Sequence, residues 1–168
     1  APLMPDYLRF EGSGGQYGYA YGNISAAATR ERLTLFTAAS YRRSDGYMHN
    51  TDFTNYNAFL RATYEARRAG NFEFQAGYQD RAFGSNGFYA AYNPDQWEKT
   101  STALASLRWS VPLGRFTLGS SASYRKNFDR YDWTRGTALN RHNTDNVGAR
   151  LWADFSCCLL YTSDAADD

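Results

Sequence analysis

Phe72-Glu73-Phe74-Gln75-Ala76-Gly77-Tyr78-Gln79 is the stretch that decides the fold. Phe72, Phe74, Ala76 and Tyr78 form one series, and Glu73, Gln75, Gly77 and Gln79 form the other. Side chains on a strand alternate between faces, so one face of this ribbon is apolar and the other polar. The same alternation recurs on both sides of it, between Gly15 and Phe155, in runs of about ten to fifteen residues that break at turns. Strands of a soluble sandwich are about five or six residues long. Strands twice that length, with Tyr and Phe on one face and Glu, Gln, Arg and Asn on the other, describe a wall between lipid and a water-filled lumen. The class expected is all-β: an antiparallel transmembrane β-barrel, with helix nearly absent.

Composition narrows the class further. Mean hydropathy is −0.64, too polar for membrane-spanning helices, and no stretch approaches the roughly eighteen consecutive apolar residues that such a helix needs. Barrel strands escape that measure because every second residue faces water. Aromatics make up 17% of the chain, with Tyr the most frequent at 14, which suits the aromatic girdles of membrane barrels. The net charge of +1 comes from charges of both signs spread along the chain, so no basic stripe points to nucleic acid.

The breaks divide the chain into about eight strands. They are expected at 7–11, 16–28 with Tyr17, Tyr19 and Tyr21 in phase, 33–44, 52–67, 72–81, 97–111, 116–127 and 146–155. Tyr56, Ala58, Leu60, Tyr64, Phe72, Phe74, Leu107 and Trp109 should lie on the convex, lipid side. Asn57, Arg61, Glu65, Glu73, Gln75 and Arg108 should lie on the concave side. Inward Arg61, Glu65, Glu73, Arg81, Arg108 and Arg125 make that side polar enough to grip a plug or to pair across strands. Short turns at 29–32, 68–71 and 112–115 alternate with longer links at 45–51, 83–96 and 129–145. Membrane barrels keep short turns on the periplasmic side and long loops outside, so the long links should form the outer surface.

Within those loops, Phe83, Phe88, Tyr89, Tyr92 and Trp97 offer aromatic surface at low entropic cost, and Phe88, Tyr89, Tyr92 and Trp97 are the candidate ligand-binding residues. Girdle packing is the competing role for the same rings. Asp45, Asp52, Asp129, Asp132 and Asp145 have the oxygen chemistry of calcium ligands but no EF-hand spacing, and solvated loop carboxylates are the favoured reading. His49 and His142 stand alone in loops. No metal site, cofactor site or catalytic residue is expected.

The segment 157–168 breaks the pattern. It resembles the in-frame translation of a transposon-type sequencing adapter, and a natural acidic tail is the alternative. The neighbours Cys157 and Cys158 suit neither an unstrained disulfide nor a metal-ligand pattern. Two regions are therefore expected, a barrel segment over 1–156 and a non-native tail over 157–168.

Three motifs carry a resemblance. Ser44-Asp45-Gly46-Tyr47-Met48-His49-Asn50-Thr51-Asp52-Phe53, Phe83-Gly84-Ser85-Asn86-Gly87-Phe88-Tyr89 and Tyr92-Asn93-Pro94-Asp95-Gln96-Trp97-Glu98 resemble loops of TonB-dependent outer-membrane receptors, nearest to the cobalamin and siderophore type of Bacteroidetes. The resemblance covers about residues 5–155. It implies a barrel of about 22 strands, of which this chain is the first third, filled by a plug domain lying ahead of it. It implies as partners the outer-membrane bilayer, the plug, the TonB energy-coupling complex and a large small-molecule ligand. The implied function is import of a scarce nutrient, cobalamin or a ferric siderophore, by the complete receptor.

The rival is a small closed outer-membrane barrel, either a lipase- or protease-type enzyme or an adhesion protein. Ser120, Ser121, His142 and Asp145 supply hydrolase residue types, but no nucleophile elbow or other catalytic spacing accompanies them.

Overall fold

The computed structural model describes residues 6–137 and 140–156. Eight strands run in chain order as one antiparallel sheet: β1 Tyr7–Gly14, β2 Ala20–Arg30, β3 Leu33–Ser44, β4 Phe53–Ala66, β5 Gly70–Gly84, β6 Trp97–Leu113, β7 Phe116–Asp132 and β8 Asn140–Phe155. No helix occurs among the described residues. The segment from 157 onward, with both cysteines, lies outside them.

Each strand pairs only with its sequence neighbours, a meander built from hairpins. β1 and β8 form the two edges and are not paired with each other, so the sheet is open. The tight turns fall where the sequence placed them. At the β4–β5 turn, Gly70 has φ +87°, and a Cβ there would sit 2.2 Å from the Ser110 carbonyl oxygen. Only glycine meets both conditions.

Several strand ends differ from the sequence expectation. β1 continues through Gly12-Ser13-Gly14, and β2 starts at Ala20 rather than Gln16. Tyr17 sits in the intervening turn at φ +57°, and Tyr21 shares the polar face with Asn23, so the three tyrosines are not one strand series. β5 gains Ala82-Phe83-Gly84, and β7 and β8 extend toward each other until the link between them is only 133–139. β6 opens on Trp97, where the strand was expected to begin, so this ring, also counted among the loop aromatics, is a strand residue, and the strand runs on to Leu113.

Facing follows from the register. Tyr64 is opposite Phe72 and Phe72 opposite Trp109; Ala62, Phe74 and Leu107 form the next apolar row. Between them run Thr63, Glu73 and Arg108, pointing to the other side. The fourteen residues assigned to faces from the sequence separate into the same two sets, on opposite sides of the sheet. No second layer covers either face. Ala27 and Val111 are the only buried hydrophobic residues among those described, and Val147 and Leu151 are more than four-fifths exposed.

Candidate functional site

On the apolar face the residues between the two ends of each strand are small or aliphatic: Thr37 and Ala39 in β3, Ala58, Leu60 and Ala62 in β4, Ala105 and Leu107 in β6, Ala149 and Leu151 in β8. Aromatic rings bound this zone at both heights. Tyr41, Tyr56, Tyr78 and Tyr124 mark the rim near the long loops, and Tyr64, Phe72, Trp109, Phe116 and Phe155 mark the rim near the tight turns. Neighbouring rim rings touch: Tyr41 and Tyr56 at 4.6 Å between centroids, Phe116 and Phe155 at 4.8 Å. Tyr56 to Tyr64 encloses about nine residues, as do Tyr41 to Leu33 and Val147 to Phe155, the length of a tilted membrane-crossing strand.

The belt also slopes. At β4 its upper rim, Tyr56, is level with Asp80 of β5. At β8 the upper rim, Val147, is level through Tyr124 and Ala105 with Ala76 of β5, four positions lower (80 against 76) across the four steps from β4 to β8. A drift of about one residue per strand corresponds to strands tilted roughly 36° from the belt's normal, as in a closed barrel whose shear equals its strand number. Above the upper rim this face turns polar: Asp80 binds Ser101 Oγ at 2.5 Å and lies 3.2 Å from Lys99 Nζ. Within the belt, Phe10, Ile24, Tyr41, Tyr56 and Tyr78 wall a shallow apolar trough of about 870 Å³.

The loops above the belt interlock. Asn50, at φ +54°, is the hub: its side-chain amide donates to the Pro94 carbonyl at 2.9 Å, and its own carbonyl accepts the Asn86 N–H at 3.2 Å. Asn86 Nδ2 returns a bond to the His49 carbonyl at 2.6 Å. Gly84 lies so close that a Cβ would be 2.3 Å from the Asn50 oxygen. Arg135 reaches over from the last loop and grips Asp52 through two bonds of 2.6 and 2.9 Å, while its own N–H donates to the Asp95 carbonyl at 2.8 Å. Asn93 Nδ2 donates to the Trp133 carbonyl at 2.7 Å, and His49 Nε2 lies 2.6 Å from Asp95. The Asn, Asp and Gly of the three quoted motifs thus hold three loops together as one crown.

The candidate ligand residues divide within that crown. Phe88 and Tyr92 are 78% and 82% exposed at its surface. Tyr89 stands edge-on between Phe88, at 4.9 Å, and Tyr131, at 5.2 Å, and its hydroxyl donates to Glu98. That carboxylate and partial burial push the Tyr89 phenol up to about 12. Tyr92 pairs with Trp133 at 6.0 Å. Trp97 lies lower, with the Arg130 and Arg135 guanidinia over its ring at 5.0 and 5.8 Å. Tyr131, Trp133 and Arg135 are the partners the sequence did not single out. Alternation cannot show which loop side chains meet across 40 to 85 residues of chain.

The five aspartates expected in loops are tied up separately, and Asp129, Asp132 and Asp145 lie in β7 and β8 rather than in loops. Asp52 is held by Arg135, Asp132 by Arg130 at 2.9 and 2.7 Å, Asp45 by Arg43 at 2.8 Å, Asp145 by the Tyr124 hydroxyl and Asp129 by Asn127. Among the described residues no three His, Cys, Asp or Glu side chains converge on a point that could hold a metal ion. The hydrolase types are dispersed as well. Ser121 shares the polar face with His142, but its β8 partner is Arg150, eight positions and about 27 Å along the strand from that histidine. Ser120 and Asp145 face the other way. Set against known proteins, the chain has no match among protein families, curated proteins or solved structures.

Proposed function

We propose that this chain is part of the wall of a bacterial outer-membrane β-barrel, with the knotted loops outside and the polar face lining an aqueous interior. The sloping belt carries the reading. A single-layered sheet cannot hide its greasy face in water, because a soluble domain needs a second layer around a core. Lipid supplies that cover, and a belt one crossing-strand tall, rimmed by aromatics and slanted by about a residue per strand, has the shape lipid requires. The unpaired backbone of β1 and β8 would be costly in hydrocarbon, so further strands must complete the wall.

Within that class we favour the TonB-dependent receptor that the loop motifs resemble, importing a large nutrient such as cobalamin or a ferric siderophore past a plug domain. The exposed pair Phe88 and Tyr92 on a preorganised crown supports ligand capture, since rings already held in place lose little entropy on binding.

The test of the wall uses tryptophan fluorescence in vesicles containing brominated phospholipid. Trp109 sits on the belt rim, whereas Trp152 pairs with Gly119 on the opposite face. Single-tryptophan variants retaining Trp109 should be strongly quenched and those retaining Trp152 should not. Equal quenching of the two would overturn the assignment of faces to lipid and water.

A further inference from the structure

One row of the polar face sets two arginines against a single glutamate. Reading across the register, Glu73 is opposite Arg108, Arg108 opposite Ser121, and Ser121 opposite Arg150. Glu73 is committed elsewhere: its carboxylate takes a 2.5 Å bond from Arg61 and one of 2.6 Å from Gln75. Arg108 and Arg150 form no ion pair or hydrogen bond with the described residues. Instead both guanidinia converge on one indole, with Cζ 4.9 and 5.9 Å from the centre of the Trp152 ring. Trp152 is itself seated flat on Gly119, where a Cβ would come within 2.1 Å of the ring. Arg108, Ser121, Arg150, Trp152 and Asp154 line a polar cavity of about 220 Å³.

We propose that this cavity is an oxyanion site, taking a carboxylate or phosphate group between Arg108 and Arg150 above the Ser121 hydroxyl. Stacking uses the face of a guanidinium and leaves its N–H edge free, and that edge matches the two oxygens of a carboxylate or phosphate. The two arginines stand two strand spacings apart, about 10 Å at the backbone, so their long side chains can close on one small group from both sides. The volume is below the roughly 300–1,000 Å³ of drug-sized pockets, which fits an anionic head rather than a whole large ligand. Asp154 is the one acidic lining residue. It bridges neither arginine and opposes an anion, so the lining carries a net single positive charge, with Glu73 opposite Arg108 held by Arg61 and Gln75. The site depends on the polar face being wet, not on what the loops capture. The oxyanion can come from a protein carboxylate lying against this face or from a free phosphate.

Arginine Nε–H resonances of the full chain in detergent micelles, titrated with inorganic phosphate against sodium chloride of equal ionic strength, decide the matter. Saturable millimolar shifts at Arg108 and Arg150, with Arg125 unmoved, are the expected result for a free anion. Arg108→Gln or Arg150→Gln should weaken phosphate by about tenfold or more, as loss of a charged hydrogen-bond partner does. Asp154→Asn should tighten it severalfold, a gain that a mere folding defect cannot produce. Resonances protected from exchange, blind to phosphate and released on acidification through the carboxylate range would place a protein carboxylate in the site. Unprotected resonances that respond no more to phosphate than to chloride, in a chain whose circular dichroism remains that of the folded sheet, would overturn the proposal.

Discussion

At the scale of single residues, the crown turns on two ionisable contacts that make opposite pH predictions. Arg135 holds the Asp52 carboxyl below its ordinary value. The folded crown therefore favours the anion: its contribution is whole above about pH 4 and fades as pH falls through the lowered folded value. Arg135→Gln should cost about 1 kcal/mol, less than the usual charged hydrogen bond because the pair is partly exposed, and should speed amide exchange at the Asp95–Arg135 contact. A crown whose exchange is unchanged by that substitution would not be clasped by Arg135. Tyr89 runs the other way. Its phenol is raised to about 12 by the Glu98 carboxylate that accepts its proton. A raised folded value stabilises the protonated form, so this contribution is whole below about pH 10 and lost as pH climbs toward 12. Absorbance at the tyrosinate band should show a latest-ionising component that Glu98→Gln moves to lower pH. Neither contact was legible in the sequence: Arg135 and Asp52 meet only because separate loops fold over one another, and Tyr89 reaches Glu98 only through the way its own loop turns back onto the start of β6.

At the scale of the strand, alternation was readable where the two faces differ in polarity and unreadable where they do not. The middle of β4, β5 and β6 contrasts apolar against polar at most steps, and the facing follows from that majority even though Phe36, Phe59 and Leu104 lie on the polar side. Above the upper rim both faces are polar. In Phe128-Asp129-Arg130-Tyr131-Asp132 the period of two disappears although the ladder continues opposite Trp97 to Ser101, so this stretch looked like loop. Tyr17 and Tyr19 show the converse error, an aromatic alternation that the chain uses for a turn. The facing itself makes a quantitative claim. Leu107 is in mid-belt and Arg108 beside it points to the polar side, so Leu107→Arg should lose roughly 2–4 kcal/mol of folding free energy in a bilayer. Denaturant titration in lipid vesicles measures this, and a loss below about 1 kcal/mol would place Leu107 away from the bilayer midplane. Gly70→Ala should destabilise the same assay for a backbone reason, since both the positive φ and the Ser110 carbonyl exclude a methyl group.

At the scale of the whole molecule, the sheet has neither a core nor a closed edge, and each absence sets a demand on the surroundings. Two buried hydrophobic residues among those described cannot offset the conformational entropy of ordering eight strands, which is on the order of 1 kcal/mol or more for each residue fixed. On the proposed reading, the missing apolar term comes from an amphiphile covering the belt, at about 25 cal/mol for each Å² removed from water. Folding should therefore require detergent or lipid, with acyl chains long enough to span the rims. Circular dichroism and resistance to proteolysis, followed as detergent is added from below to above its micelle concentration, give the measurement. β-structure and protection should appear together at the micelle threshold. They should be strongest for chains matching a belt about 25 Å tall and weaker for much shorter ones. Even then β1 and β8 keep unpaired backbone groups, so exchange should be fastest at these two strands and the folded chain should tend to associate edge to edge. A protein that folded cooperatively as a monomer in plain buffer would have found another cover for its apolar face. The membrane wall would then be the wrong environment for this sheet.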